Sequence, residues 1–182
     1  MSEAAPGRMA AEAFIAWAME RPEGERYELA DGAVIAMAPE RIEHTEAKGL
    51  VFLRLFRAIE AAGLPCRAYT DGVTVRVDEH TVYQPDVTVR CGPALPPGTV
   101  FMTDPLILVE VLSPSTRGVD VGLKLSDYFR IPSLRHYLIV RADKRVVVHH
   151  RRDEAGAIMT RILGDAPLRL DPPGIVLEGL FA

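Results

Sequence analysis

The sequence predicts an α+β (α/β) domain in which a long mixed β-sheet is flanked by helices. Three observations lead to this prediction: amphipathic helical patterns in the first third, runs of alternating or β-branched residues through the middle, and a short helical pattern between two later strands. Helices and strands do not alternate regularly, so a simple βαβ repeat is not expected. With 182 residues, 48% of them hydrophobic, the chain can bury a sizeable core, and we expect one domain over residues 1–182.

Three segments have helical patterns. Residues 9–20 are rich in alanine and amphipathic, and the following Arg21-Pro22 ends the pattern. Residues 43–62 are the second predicted helix, in which apolar residues recur at helical spacing, and Gly63 is placed as its C-terminal cap. Residues 119–130 are the third predicted helix, which lies between strand patterns.

Strand patterns account for much of the remaining chain. Residues 27–37 are typical of a hairpin, because Asp31-Gly32 is a strong two-residue turn signal. We expect residues 106–112, which are apolar apart from one acid, to lie centrally in the sheet. The other predicted strands are residues 66–69, 72–77, 82–90, 136–140 and 145–150, with shorter pieces at 157–163 and 168–182.

Composition limits the classes of function. The formal net charge of −4 argues against a large nucleic-acid surface, although it permits a small site where a metal ion bridges protein and phosphate. Cys66 and Cys91 are expected to be free thiols of a reducing cytosol, and two cysteines alone do not make a zinc site. No stretch approaches the about 18 apolar residues of a membrane span, and no signal-peptide pattern is seen, so we expect a cytoplasmic protein without a membrane partner.

Two acids within strand patterns, followed by one lysine, are the best candidates for chemistry. Glu110 lies within the apolar run 106–112, on the same predicted face as Leu108, and Asp86 directly follows Pro85. A carboxylate in such a run is costly unless it is paired, protonated or bound to a metal. Two acids and a cation, here Lys124, are the groups of a site that holds a hard metal ion beside a phosphate.

Each of these residues also has a structural interpretation. Glu110 by itself is equally consistent with a buried glutamate paired to an arginine. Asp86 by itself is consistent with an ordinary turn aspartate, and Lys124 with a solvated lysine on an amphipathic helix.

The combination of these motifs resembles the Uma2 family, also known as DUF820, a branch of the PD-(D/E)xK restriction-endonuclease-like superfamily. The most specific element is the string Glu-Val-Leu-Ser-Pro-Ser-Thr at residues 110–116. The other matching parts, within about residues 27 to 140, are 27–32, 37–39, His44, 84–87, Asp120, Lys124, Tyr128 and 136–140. One departure from the superfamily pattern is Leu112, which stands where an acid-x-Lys motif has its lysine; Lys124 is the matching lysine in this branch.

The resemblance implies a restriction-endonuclease-like fold and an endonuclease that hydrolyses DNA. Asp86 and Glu110 would bind Mg²⁺ or Mn²⁺, with the main-chain carbonyl of Val111 as a further ligand. Lys124 would orient the attacking water or stabilise the transition state. Ser113, Ser115 and Thr116 would cap the following helix or touch phosphate.

Glu28 and His44 are further candidates from the same resemblance. Glu28 would contact the metal or orient a water, and its alternative is a hairpin residue that faces solvent. His44 precedes a helix, and its alternative is a helix-start residue with a local polar contact.

Other questions stay open at this level. The basic stretch 141–152 is consistent with a DNA-contacting edge and also with a solvated strand pair, which is the more common case. A nuclease-like binding or regulatory protein without activity is the alternative to the endonuclease, and hydrolysis of a small phosphate ester is a third hypothesis. A homodimer is expected only by analogy with related folds.

Overall fold

The structure, a computed structural model, describes residues 8–112 and 120–181. The helices are α1 (Ala11–Met19), α2 (Ile42–Ala61) and α3 (Asp120–Tyr128). The strands are β1 (Tyr27–Ala30), β2 (Ala33–Ala36), β3 (Cys66–Thr70), β4 (Thr74–Arg76), β5 (Val82–Tyr83), β6 (Val87–Cys91), β7 (Phe101–Met102), β8 (Ile107–Val111), β9 (His136–Arg141), β10 (Val146–Arg152), β11 (Ile158–Leu163), β12 (Leu168–Leu170) and β13 (Ile175–Leu177). No helix within the described ranges is long and apolar enough to cross a membrane.

The strands divide between two mixed sheets and a small hairpin. The larger sheet has the order β11-β10-β9-β8-β6-β3, and the smaller has the order β2-β1-β5-β4-β7, while β12 pairs with β13. In the larger sheet β8 and β9 are parallel and the other neighbours are antiparallel. The predicted α+β class with mixed sheet and flanking helices is confirmed, and β8 is central as expected, but the expected single long sheet is two sheets.

The division occurs within a segment that was predicted as one strand, residues 82–90. Residues 82–83 pair in the smaller sheet as β5, and residues 87–91 pair in the larger sheet as β6. Pro85 lies between them and has no N–H for a strand ladder, which accounts for the interruption. Strand β7, which has only two residues, was not predicted, because so short a segment shows no periodicity.

Both turn predictions based on glycine are confirmed. Asp31 and Gly32, with φ of 50° and 83°, connect β1 to β2, as a two-residue hairpin of the Asp-Gly type requires. Gly63 has a φ of 59° directly after the C-cap residue of α2.

The larger sheet buries a core on each face. On one face Val109 and Leu138 pack with Leu55 of α2 and with the β12–β13 hairpin. On the other face Leu108 packs with Tyr128 of α3. Because side chains alternate along a strand, Glu110 shares the face of Leu108 and is directed toward α3, as the sequence predicted.

The expectation of two free thiols is wrong for this structure. Cys66 in β3 lies directly opposite Cys91 in β6, and the two form a disulfide across a sequence separation of 25. Strand register places the two thiols face to face, and register between distant strands is not visible in cysteine spacing.

Candidate functional site

Asp86 lies at the point where the chain returns from the smaller sheet to the larger one. It is 5% exposed and lies just before β6, beside the end of β8, because Val87 pairs with Val109. The main-chain N–H of Val111 donates a hydrogen bond to Asp86 Oδ2 over 2.6 Å. This bond ties the first predicted acid to the residue that follows the second one.

Glu110 is directed from β8 toward helix α3. Its Oε1 accepts a hydrogen bond from the Tyr128 hydroxyl over 2.8 Å and another from Lys124 Nζ over 3.2 Å. Burial raises the pKa of Glu110 to about 7, assisted by the negative charges of Asp86 and Glu28 and opposed by Lys124 and Tyr128. Glu110 therefore pairs with a lysine and a tyrosine, and the arginine partner of the structural interpretation is replaced by Lys124.

Lys124 is buried and bridges the two sheets. Its Nζ lies 2.9 Å from both carboxylate oxygens of Glu28 in β1 and also contacts Glu110 in β8. The main-chain N–H of Gln84 donates a second hydrogen bond to Glu28 Oε1 over 2.8 Å. Glu28 is 4% exposed and Lys124 5%, so the interpretations of a solvent-facing hairpin residue and of a solvated lysine are both wrong.

His44, in the first turn of α2, is directed at Asp86 rather than at a local group. Its Nε2 lies 3.6 Å from Asp86 Oδ2, an ion-pair distance, and the interaction with this carboxylate raises the pKa of His44. Nε2 is buried and has no hydrogen-bond partner within the described part of the chain. A buried ring nitrogen of this kind calls for a further group beside Asp86.

Lys48 belongs to the same cluster and was missed by the sequence analysis. It is 1% exposed, and its Nζ lies 2.8 Å from Asp71 Oδ1, 2.5 Å from Glu40 Oε2 and 3.5 Å from Asp86 Oδ1. One signal was available: Lys48 is four residues after His44, and residues four apart share one face of a helix.

Three carboxylates surround the Lys48 ammonium. Among residues 8–112 and 120–181, oxygens of Glu40, Asp71 and Asp86 lie within 4.8 Å of one another. No sequence pattern singles out Glu40, which follows Pro39, or Asp71, which precedes Gly72 as in many turns. Asp86 thus lies between two groups, one with Glu110 and Val111 and the other with Glu40 and Asp71.

The donor set fits a hard divalent cation. Asp86, Glu110 and the Val111 carbonyl offer the oxygen ligands that Mg²⁺ and Mn²⁺ prefer. His44 Nε2, which has no hydrogen-bond partner among the described residues, lies beside Asp86. Ser113, Ser115 and Thr116, predicted to touch phosphate, lie outside the described residues.

The fold is similar to that of a solved protein. A crystal structure described as "a putative nuclease belonging to DUF820", from Anabaena variabilis, superposes with a TM-score of 0.73 over 95% of this chain and 97% of that chain, at 16% sequence identity. This likeness supports a restriction-endonuclease-like fold for the chain.

Sequence comparisons extend over nearly the same length. The chain is 28% identical over 170 residues to an uncharacterized protein of Synechocystis sp., covering 92% of this chain and 87% of that protein. The family model named Uma2, with the description "Putative restriction endonuclease", matches residues 11–177. The match includes every residue of the buried cluster, and the chain therefore belongs to the Uma2 family.

Proposed function

We propose that this protein is a metal-dependent endonuclease that hydrolyses phosphodiester bonds of DNA. The observation that carries the proposal is the convergence of Asp86, Glu110 and Lys124, which come from three different elements, in one buried cluster. Membership of a family described as "Putative restriction endonuclease" supports nuclease chemistry at this cluster. A carboxyl group with a raised pKa beside a buried lysine, here Glu110 beside Lys124, is typical of catalytic sites.

Asp86, Glu110 and the Val111 carbonyl would hold the metal, Mg²⁺ or Mn²⁺. When bound, the metal supplies an activated water and neutralises charge on the phosphodiester. The hydrogen bond from Val111 N–H to Asp86 Oδ2 fixes one carboxylate rotamer, and the Tyr128 hydroxyl fixes the other through Glu110 Oε1. Both acids are thereby pre-oriented, which lowers the entropic cost of ligating an ion.

Lys124 and His44 would act on the substrate. The Lys124 ammonium, held by Glu28, can donate a hydrogen bond to the attacking water or to a non-bridging phosphate oxygen. His44 Nε2, whose pKa is raised by Asp86, can hold a proton for a phosphate oxygen or for the leaving oxygen. Glu28 then acts as a positioning residue for Lys124.

One observation favours the alternative, a nuclease-like binding or regulatory protein without activity. Lys124 already bonds Glu28 and Glu110, and Lys48 already contacts Glu40, Asp71 and Asp86. These ion pairs neutralise the charge of the acids without a bound metal ion, as a purely structural cluster would require.

The deciding experiment is cleavage of supercoiled plasmid, single-stranded DNA and RNA with Mg²⁺ or Mn²⁺, alongside calorimetric titration of each metal. Wild type is compared with Glu110→Gln, which keeps the shape and removes the charge, and with Glu60→Gln, an exposed glutamate of α2, as the matched control. We expect metal-dependent nicking in wild type and in the control, and a loss of at least about 100-fold in Glu110→Gln.

Two results would decide against the proposal. Nicking that survives in Glu110→Gln would mean that the activity does not use this cluster. Absence of both cleavage and metal binding in wild type would leave the acids as a structural cluster and favour the binding protein. Metal binding without nucleic-acid cleavage would direct the search to small phosphate esters, and sedimentation of the same samples would test the proposed homodimer.

A further inference from the structure

A surface pocket lies on the other side of the larger sheet from Glu110. It has a volume of about 470 Å³ and is lined by β10, β11, the turn between them and Arg169 of β12. His149 at this pocket is on the same strand face as Val147, which packs with α2 and the C-terminal hairpin. Glu110 belongs to the opposite face, so this pocket is separate from the candidate nuclease site.

Strand register brings four side chains of the pocket onto one surface. His149 lies directly opposite Arg161, and Arg151 lies directly opposite Met159. Residues 149 and 151 are two apart on β10, so their side chains share a face, and their partners on β11 share it too. The pocket therefore has a floor of one histidine and one methionine between two arginines.

The pocket carries more positive than negative charge. Arg151, Arg161 and Arg169 line it together with Asp153 and Glu154. Within the described ranges, the guanidinium groups of Arg151 and Arg161 have no carboxylate partner, and Arg169 has only a distant contact of 3.8 Å with Asp171. Unpaired arginines that converge at a concave surface are suited to bind phosphate or carboxylate groups.

His149 provides an acceptor at the floor of this pocket. His136 Nε2 lies 2.7 Å from the Pro172 carbonyl and must donate to it, so His136 Nδ1 accepts from His149 Nε2 over 2.9 Å. His149 Nδ1 then carries a lone pair. This atom is buried and has no hydrogen-bond partner among the described residues, although His149 is only 2% exposed.

Burial and the neighbouring cations keep this acceptor neutral. Desolvation, with the positive charges of Arg161 and Arg151, lowers the pKa of His149 to about 4. An anion without a proton to donate, such as sulfate, would leave the lone pair of Nδ1 without a donor. A ligand that also carries a hydroxyl group would satisfy it.

We propose that this pocket binds the phosphate and hydroxyl groups of a phosphorylated sugar. Arg151 and Arg161 hold the phosphate, a sugar hydroxyl donates to His149 Nδ1, and the carboxylates of Asp153 and Glu154 accept from the remaining hydroxyls. Free sugar phosphates and mononucleotides share this chemistry. The site is independent of the proposed nuclease activity, since it involves none of the residues of the buried acidic cluster.

Calorimetric titration of the full chain with four probes tests the proposal: sulfate, ribose, ribose 5-phosphate and adenosine 5′-monophosphate. We expect ribose 5-phosphate to bind at least about tenfold more tightly than sulfate or ribose alone, because sulfate lacks a donor for His149 and ribose lacks an anionic group for the arginines. Arg161→Gln should weaken this binding at least about tenfold. Arg57→Gln, at an exposed position of α2, should leave it unchanged.

An NMR measurement tests the role of His149 without a substitution in the core. The ¹⁵N resonance of His149 Nδ1 should shift on addition of ribose 5-phosphate and should stay in place with sulfate, which has no proton to donate. Tighter binding of adenosine 5′-monophosphate than of ribose 5-phosphate would identify nucleotides as the source, and equal binding would identify sugar phosphates.

Three results would overturn the proposal. These are no saturable binding of any probe, equal affinity for sulfate and ribose 5-phosphate, and binding that is the same in Arg161→Gln and Arg57→Gln. Binding of a single-stranded oligonucleotide that depends on Arg161, with no binding of ribose 5-phosphate, would show a polynucleotide surface instead.

Discussion

The ammonium nitrogen of Lys124 lies 2.9 Å from the carboxylate of Glu28, although the two residues are 96 positions apart in the sequence. The same nitrogen contacts Glu110 over 3.2 Å. One buried cation therefore compensates two buried acids, and neither acid can be understood from its own strand alone.

Lys124→Met should be strongly destabilising, because it leaves Glu28 and Glu110 buried without their cation. We expect the free energy of unfolding to fall by about 3–5 kcal/mol in urea titrations. The double variant Glu28→Gln/Lys124→Met should recover at least about 1 kcal/mol, since it removes one of the unpaired charges, while plasmid nicking stays abolished in both. Lys144→Met, at an exposed turn, is the control, and equal stability of all three proteins would contradict this account of Lys124.

Tyr128→Phe should raise the pKa of Glu110 above its value of about 7, because the Tyr128 hydrogen bond favours the ionised carboxylate. The acid limb of the nicking profile should move to higher pH by about 0.5–1 unit. The ¹³C resonance of the Glu110 carboxyl reports the same shift without any activity. Tyr69→Phe, in β3, serves as the control. A Glu110 carboxyl titration in Tyr128→Phe that is identical to that of wild type would contradict the prediction.

Lys48→Met should increase the extent to which divalent cations stabilise the fold. Removal of the ammonium leaves Glu40, Asp71 and Asp86 within 4.8 Å of one another, so the metal-free protein should lose about 1–3 kcal/mol of stability. Mn²⁺ should then raise the melting temperature more in Lys48→Met than in wild type or Lys144→Met, measured by calorimetry against EDTA. An identical rise in all three proteins would show that Lys48 does not compete with a cation.

The buried pair His136 and His149 should make the fold sensitive to mild acid. Burial lowers the pKa of both residues to about 4 from the usual histidine value of 6.5, so the unfolded chain binds more protons than the folded one between these values. The stability that the neutral pair contributes is therefore fully present above about pH 6.5 and is lost as the pH falls toward about 4. The free energy of unfolding should change by up to about 1.4 kcal/mol per pH unit for each histidine.

Urea unfolding at a series of pH values measures this slope. The double variant His136→Gln/His149→Gln should show a shallower loss between pH 6.5 and 4 than wild type, because glutamine does not titrate. His80→Gln, outside the pair, should retain the wild-type slope. If the double variant lost stability as steeply as wild type, the acid sensitivity would belong to other groups.

Reduction of the Cys66–Cys91 bond should lower the free energy of unfolding of the oxidised protein by about 2–4 kcal/mol, since the bond closes a loop in the unfolded chain. Intact mass under non-reducing and reducing conditions establishes whether the bond is present. Cys66→Ser/Cys91→Ser should be insensitive to reductant. Two thiols that alkylate readily in the native, unreduced protein would disagree with the structure.

Local patterns predicted the elements better than their arrangement. The stripe that predicted a helix over residues 43–62 matches α2 at Ile42–Ala61, and Asp31-Gly32 forms the predicted turn, because both signals lie within a few neighbouring residues. The change of sheet at Pro85 and the pairing of Cys66 with Cys91 depend on register between distant strands, which no local pattern records.

The candidate site shows the same limit. Burial of Glu110 follows from the apolar run around it, but its meeting with Asp86 and Lys124 was implied only by the family resemblance. Lys48 has the local signature of an ordinary helical lysine, and only its contacts with Asp71 and Glu40 show that it belongs to the cluster. Nothing in the sequence near position 48 encodes these long-range contacts.

The division of the strands into two sheets has a mechanical consequence. Glu28 is part of the smaller sheet and Glu110 part of the larger one. The ion pairs of Lys124 with these two acids therefore connect the two sheets. The two sheets also share one core, in which Met102 of the smaller sheet packs with Leu108 of the larger, so a change in the angle between them alters both this packing and the gap between the two carboxylates. The distance between the two carboxylates therefore depends on the relative orientation of the two sheets.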